Sequence, residues 1–383
     1  MSRGKIWFFV SVLIVGFIGL FMMWQPGGIL NANNPEDVAN VAVEFHGMIF
    51  DVILFGIVLT IYEFYSDKKQ RIRRYLDDID DFRGWDEKEA VFRTVGNIKR
   101  LQKEKIYELP LSACYLRGAN LNATNLKKAN LTKADLSNAN LNGVDLTGAK
   151  LRKTQLTSAQ LYEANLSEAQ LTEADLTEAN LTKTRLNRAK LTGVKLRQAN
   201  LANANLTRAE LMGADLSGTK LYAANLTAAN LNTANLSAAN LTEADLSAAN
   251  LNTANLSETT LNETDLTGVD LTAATLTRAK LYAAKLVGTN LNGADLTGAN
   301  LTGADLTGAN LQGVKFNGAN LTGARLTNAN LHGAKLDNTN LHAADLTGAY
   351  LTEANLYGAK VTRAQLQQAA SIKRVRGVKH LLK

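Results

Sequence analysis

A leucine returns at every fifth position from Leu116 to Leu366, replaced only at Phe316 and Val361, and an alanine usually sits two residues ahead of it. On an α-helix a five-residue step advances the side chain by roughly 140°, so these leucines would scatter around the circumference instead of forming one stripe. Helix is excluded. In extended chain, residues two apart share a face, so the alanine and leucine slots point the same way and the other three residues turn the chain. One small and one large inward residue per short side predict an all-β solenoid of square cross-section.

The repeat reads Ala119-Asn120-Leu121, Ala134-Asp135-Leu136 and Ala304-Asp305-Leu306, among many others, and in this it resembles the pentapeptide repeat family. The resemblance implies a right-handed quadrilateral β-helix with four repeats per coil, Ala and Leu inward, and the Asn/Asp slot and the two residues after Leu outward. Over 110–370 that is about 13 coils of 20 residues, a column on the order of 60 Å long at the spacing of stacked strands. Each coil buries its apolar edge only against its neighbours, so both ends require covering.

Thr, Ser and Asn dominate the position after Leu and, stacked at strand spacing, are expected to form hydrogen-bond ladders along the faces. Glycine becomes frequent two positions after Leu in the second half, for example Gly293, Gly303 and Gly313. A corner with positive φ suits glycine best, which predicts a change of corner type along the rod, with more type II turns toward the C-terminal half.

Ahead of the array, residues 1–65 carry two apolar stretches. Ile6–Trp24 is uncharged and long enough to span a hydrocarbon core as a helix; the second, 46–65, contains Asp51. Arg3 and Lys5 precede the first stretch, Lys68, Lys69, Arg71, Arg73 and Arg74 follow the second, and Glu36, Asp37 and Glu44 lie between. The positive-inside rule then predicts an integral two-span transmembrane hairpin with both termini, and hence the rod, in the cytoplasm. Asp51 reads either as an intramembrane contact for a partner helix or as a carboxylate close to the headgroups.

The charged link, 66–109, is expected as two helical pieces broken near Arg83-Gly84-Trp85. Asp86 with Glu89 has the form of a capping box, and Val91, Val95, Ile98 and Leu101 make an apolar stripe. The second piece is expected to cap the first coil, whose open edge would otherwise invite strand pairing; the alternative is that its stripe is a docking face for another protein. The FRGW…GNIKRL stretch resembles segments that precede pentapeptide arrays in bacterial membrane proteins. In the tail, 371–383, Ile372, Val375, Val378 and Leu382 have near-helical spacing, which predicts a basic cap for the far end or a contact with acidic lipid.

The net charge of +7 does not mark a nucleic-acid site. The array holds 23 basic and 20 acidic residues, and more than half of the excess lies outside it. No catalytic, cofactor or metal constellation emerges. His332 and His342 are ten residues apart, half a coil, and therefore on opposite sides. The single cysteine, Cys114, occupies an alanine slot and reads as a buried small hydrophobe. No small-molecule substrate is expected.

One surface pattern stands out. Tyr162, Tyr222 and Tyr282 each follow an inward leucine at 60-residue intervals, three coils apart and about 14 Å from one another on one face. They mark a candidate contact face, or descent from a duplicated block, since 220–224 and 280–284 are identical strings. The residues therefore favour a non-enzymatic membrane-anchored scaffold that binds a protein partner or itself. Resemblance to the family offers two alternatives: a DNA mimic that protects gyrase, which requires an acidic column, and an accessory role in envelope or glycolipid deposition.

Overall fold

The computed structural model describes residues 14, 16–18, 21 and 35–381, so the stretch expected as a first membrane span, 6–24, lies largely outside the described residues. The chain divides into two units, Met1–Arg74 and Tyr75–Lys383. Helix α1, Pro35–Asp81, runs through the boundary. The second apolar stretch and the first half of the charged link are thus one continuous helix, with no break near residue 65. Its segment from His46 on is long and apolar enough to cross a membrane, and none of its apolar window is buried.

In the second unit the chain breaks after α1 at 82–87 and resumes as α2, Lys88–Lys103, where the sequence placed the break. The expected capping box does not form: Glu87 is the N-cap and makes no side-chain cap bond. The buried face of α2 is also rotated from the expected stripe. Ala90, Thr94, Asn97, Ile98 and Leu101 are buried, whereas Val91 and Val95 are half-buried. The small side chains at 90 and 94 let the helix sit close to its support, and the two valines fall at the edge of the contact.

From Pro110 onward every fifth residue forms a parallel bridge with the residue twenty ahead, from Pro110–Asn130 to Asn340–Lys360. Twenty residues per circuit and one bridge per five residues make a four-sided coil. The leucine and alanine slots are fully buried throughout, Leu116 and Leu356 near the two ends alike. Where threonine takes the small inward slot, its hydroxyl donates to a buried carbonyl, as from Thr154 to Leu131 at 2.8 Å and from Thr259 to Leu236 at 2.9 Å. A buried hydroxyl is tolerated here because it is satisfied.

The corners overturn one expectation. The residue two after the inward leucine has positive φ at every repeat from Ala113 to Gly358, whether it is Lys, Glu, Arg, Thr or Gly. Corner type does not change along the rod. The reason is the ladder: the same residue's N–H donates to the next coil, as from Ala113 to Thr132 and from Gly318 to Asp337, so each corner must repeat the shape of the one it stacks on. An L-residue in this region costs roughly 1–2 kcal/mol, and a β-branched one is the worst case. Replacing Thr233 or Thr253 (φ 58° and 56°) by Gly is therefore expected to stabilise the rod by about 0.5–1 kcal/mol each, net of glycine's greater unfolded freedom. Denaturant midpoints would check this, and an unchanged or lower midpoint would contradict the strain assigned to these corners.

The C-terminal end differs from the helical tail expected. Helix α3 is short, Arg363–Gln368, and precedes the tail; it carries a capping box between Thr362 and Gln365. Gln365 Nε2 also donates to the carbonyls of Leu341 and Ala344 at 2.7 and 2.8 Å, closing the last full coil. Ser371 and Arg376 then bridge to Tyr350 and Asn355, and Arg374 repeats the corner with φ 56°. The tail pairs with the open edge because an isolated helix of that length leaves nucleation uncompensated, while the edge offers ready backbone partners.

Candidate interaction surfaces

The Asn/Asp slot works on the corner it precedes. In Asp145-Leu146-Thr147 the threonine N–H and hydroxyl donate to Asp145 Oδ1 at 3.1 and 2.6 Å, and the same arrangement recurs at Asp245, Asp305 and Asn320. This is a local side-chain turn. The ladders expected of the threonines are carried mainly by asparagine amides, as from Asn310 to Asn290 at 3.0 Å and from Asn340 to Asn320 at 3.2 Å, because most hydroxyls are already engaged in their own corner.

The same contacts set the carboxylates. Burial pulls Asp145, Asp175, Asp245, Asp295 and Asp305 upward, but the hydroxyl and N–H of the following Thr or Ser, with a neighbouring Lys or Arg at all but Asp245, hold them below the usual range. A group depressed in the folded state stabilises the fold above its unfolded value, near 3.9 for Asp, and loses that contribution as pH falls through the folded value. The melting temperature is thus expected to be flat above about pH 5 and to fall below about pH 4. A variant with Asp145, Asp245 and Asp305 changed to Asn should show a shallower fall; an equally steep fall would place the acid sensitivity elsewhere.

Charge of both signs occupies the same columns of the rod. Lys195 pairs with Asp175, Lys285 with Asp265, Lys315 with Asp295 and Arg325 with Asp305, each twenty residues apart, at 3.0 to 3.9 Å. No column carries an uninterrupted negative row over these coils.

The three tyrosines lie in one column, three coils apart, as the twenty-residue pairing dictates. They are 37%, 41% and 51% exposed for Tyr162, Tyr222 and Tyr282. Two of the hydroxyls are engaged by the rod itself. Lys183 donates to the Tyr162 hydroxyl at 3.2 Å and lies 5.5 Å from its ring centroid, and the Tyr222 hydroxyl donates to Glu243 at 2.8 Å. Asp51 lies on an exposed part of α1 and belongs to the other unit. Cys114 is buried, and that burial pushes its thiol up. Among the described residues no group of three or more His, Cys, Asp and Glu side chains could hold a metal.

The second unit also has a surface that the repeat pattern did not disclose. Where α2 lies over the first coil, a groove of about 890 Å³ is lined by Val91, Phe92, Val95 and Lys99 on one wall and by Tyr115, Arg117 and Asn120 on the other. Phe92 is 79% exposed, the largest exposure among the exposed large hydrophobics of this region. Asp86, beside the Tyr115 hydroxyl, pushes that hydroxyl's pKa up, with Arg117 opposing it. The signal for this groove was Phe92 itself, an aromatic residue off the helix's buried stripe.

Comparison with known proteins adds the following. A family model described as pentapeptide repeats matches stretches between 114 and 369. The crystal structure of HetL, a pentapeptide repeat protein involved in heterocyst differentiation regulation from the cyanobacterium Nostoc sp. strain PCC 7120, is 33% identical, covering 69% of this chain and 95% of that one, with a TM-score of 0.27. A pentapeptide repeat protein from the Arabidopsis thaliana thylakoid lumen is 35% identical over 32% of this chain and 86% of its own, with a TM-score of 0.27. QnrB1, a plasmid-mediated fluoroquinolone resistance protein, is 19% identical over 51% of this chain and 88% of its own, with a TM-score of 0.26. No curated protein sequence matches the chain.

Proposed function

The chain belongs to the pentapeptide repeat family, whose fold is the right-handed quadrilateral β-helix, and from that premise we propose that it is a non-enzymatic, membrane-anchored interaction scaffold. A rod of about 13 coils presents its faces to a protein partner or to a second copy, on the cytoplasmic side of a bacterial membrane. Ile6–Trp24 and the apolar part of α1 serve as the two spans. The observation that carries the reading is α1: an apolar helix with an unburied window continues without interruption to Asp81. The residues that follow it are tied to the first coil through Arg83. An anchor in the same chain holds the rod's surfaces at a membrane.

The mixed columns weigh against DNA mimicry, which calls for a run of negative charge comparable to a phosphate backbone. For the scaffold, the test is crosslinking in cells followed by purification of the full-length protein in mild detergent. A form lacking residues 1–74 and a form with Tyr162, Tyr222 and Tyr282 all changed to Thr serve as comparisons. The scaffold predicts a defined partner, or a crosslinked homo-oligomer, captured by the full-length form and lost from the form without the anchor. If the tyrosine column is the contact face, the triple variant loses at least tenfold of the captured material. Recovery of a DNA enzyme by both the full-length and anchorless forms would overturn the proposal, because the rod would then act alone.

A further inference from the structure

The β-helix has a backbone polarity that makes its first coil chemically incomplete. In every later coil the N–H of the Asn/Asp slot donates to the coil before, as from Asp135 to Cys114 and from Asn140 to Ala119, while its carbonyl accepts from that coil, as from Leu116 to Asp135 and from Leu121 to Asn140. The first coil has no predecessor, so its four sides present these groups to whatever lies beyond. Two sides are engaged by the segment before the coil. Pro110 has no N–H, its carbonyl and that of Ser112 accept from Arg83, and the Asn125 carbonyl accepts from Gln102 at 2.9 Å. On the other two sides, among the described residues, the N–H and C=O of Tyr115 and Asn120 have no backbone partner.

These open groups form one wall of the groove under α2, and the middle of the opposite wall is apolar. Val91 and Val95 are half-buried and Phe92 projects. An open strand edge facing an apolar wall is the arrangement that accepts an added strand, with main-chain bonds on one side and alternate side chains against the other. The charges select further. Lys88, Lys99 and Arg117 line the groove against Asp86 and Glu87, a net positive lining, and neither lysine has an ion pair among the described residues.

We propose that this groove takes an extended segment of a partner protein in which apolar and acidic residues alternate, added as a strand to the open edge at Tyr115 and Asn120. Its apolar side chains lie against Val91, Phe92 and Val95, and its carboxylates meet Lys88 and Lys99. The site is independent of the tyrosine column and of the membrane tether, and would stand if either of those readings failed.

The test selects a random dodecapeptide library on the full-length protein in lipid nanodiscs, with a Phe92→Ser form as the counter-target. Phe92 is largely exposed, so its replacement leaves the fold intact, which a thermal melt verifies. The strongest selected peptide is then titrated alongside a copy N-methylated at alternate amides. The proposal expects enrichment of peptides with apolar and acidic residues at alternate positions. It further expects at least tenfold weaker binding by Phe92→Ser, by the N-methylated copy and by Lys88→Glu/Lys99→Glu, with slowed amide exchange at Tyr115 and Asn120 in the complex. Failure to enrich any sequence over the counter-target would overturn it. So would enrichment of peptides with apolar residues three and four apart that leave those two amides unprotected, since a helix would then be the occupant.

Discussion

Phe316→Ala is expected to destabilise the rod by about 4 kcal/mol, within the range for truncating a buried phenylalanine. Phe316 stands in the leucine slot, is fully buried and is the largest side chain of the buried core. Its carbonyl accepts from the Thr339 hydroxyl at 2.8 Å and its N–H donates to the Lys335 carbonyl at 2.7 Å, so the backbone on either side is held and collapses little into the void. In a stack where each coil touches only its neighbours, the loss should remain local. Amide exchange should accelerate in the coils around 296–340 and stay nearly unchanged around 130–180. Uniform acceleration along the whole rod would show that it opens as one cooperative unit and would contradict the nearest-neighbour account.

Arg83→Ala is expected to release the N-terminal cap at a cost of about 2–3 kcal/mol, from charge-assisted bonds lost and carbonyls left without a donor. The guanidinium reaches the Pro110 carbonyl at 3.1 Å and the Ser112 hydroxyl at 3.1 Å, also donates to the Ser112 carbonyl, and pairs with Asp80 at 2.8 Å. Its planar fork spans two coil carbonyls and a carboxylate at once, so Arg83→Lys should recover less than half of the loss. The readouts are exchange at the amides of Ala113 and Leu116 and tryptic cleavage after Arg117. Protection that survives the substitution would show that burial of Ile79, Ile98 and Leu101 holds the cap without the arginine. Because the open edge at Tyr115 and Asn120 is framed by this cap, its loosening is also the simplest way to disturb peptide binding without touching Phe92.

Which parts of this molecule were legible beforehand follows from how far each signal reaches along the chain. The period of five names both slots of the core at once, so the solenoid, the burial of Cys114 and the shared column of Tyr162, Tyr222 and Tyr282 could all be argued from spacing. Glycine content is not a record of corner shape in this rod. The shape is imposed by pairing with the adjacent coil, and residues such as Lys133 and Glu258 accept it with φ of 60°. The tail's form likewise depends on its neighbour: Ile372, Val375 and Val378 have the spacing of a helix, but their segment bridges to Tyr350 and Asn355 through Ser371 and Arg376 where an open edge is present.

The candidate sites divide along the same line. A column of tyrosines is visible from arithmetic alone, since its members share one slot of one repeat. The groove was not, because its two walls come from unlike segments, α2 and the first coil, and its chemistry rests on backbone groups that carry no residue identity. The sequence by itself determined the repeat, the buried slots, the apolar stretches and the break at Arg83-Gly84-Trp85, because each is a short-range pattern of side-chain type. Tertiary structure alone decided the uniform corner, the extra strands at the C-terminus and the two open sides of the first coil. Those depend on which backbone donors and acceptors find a partner twenty residues away and which find none.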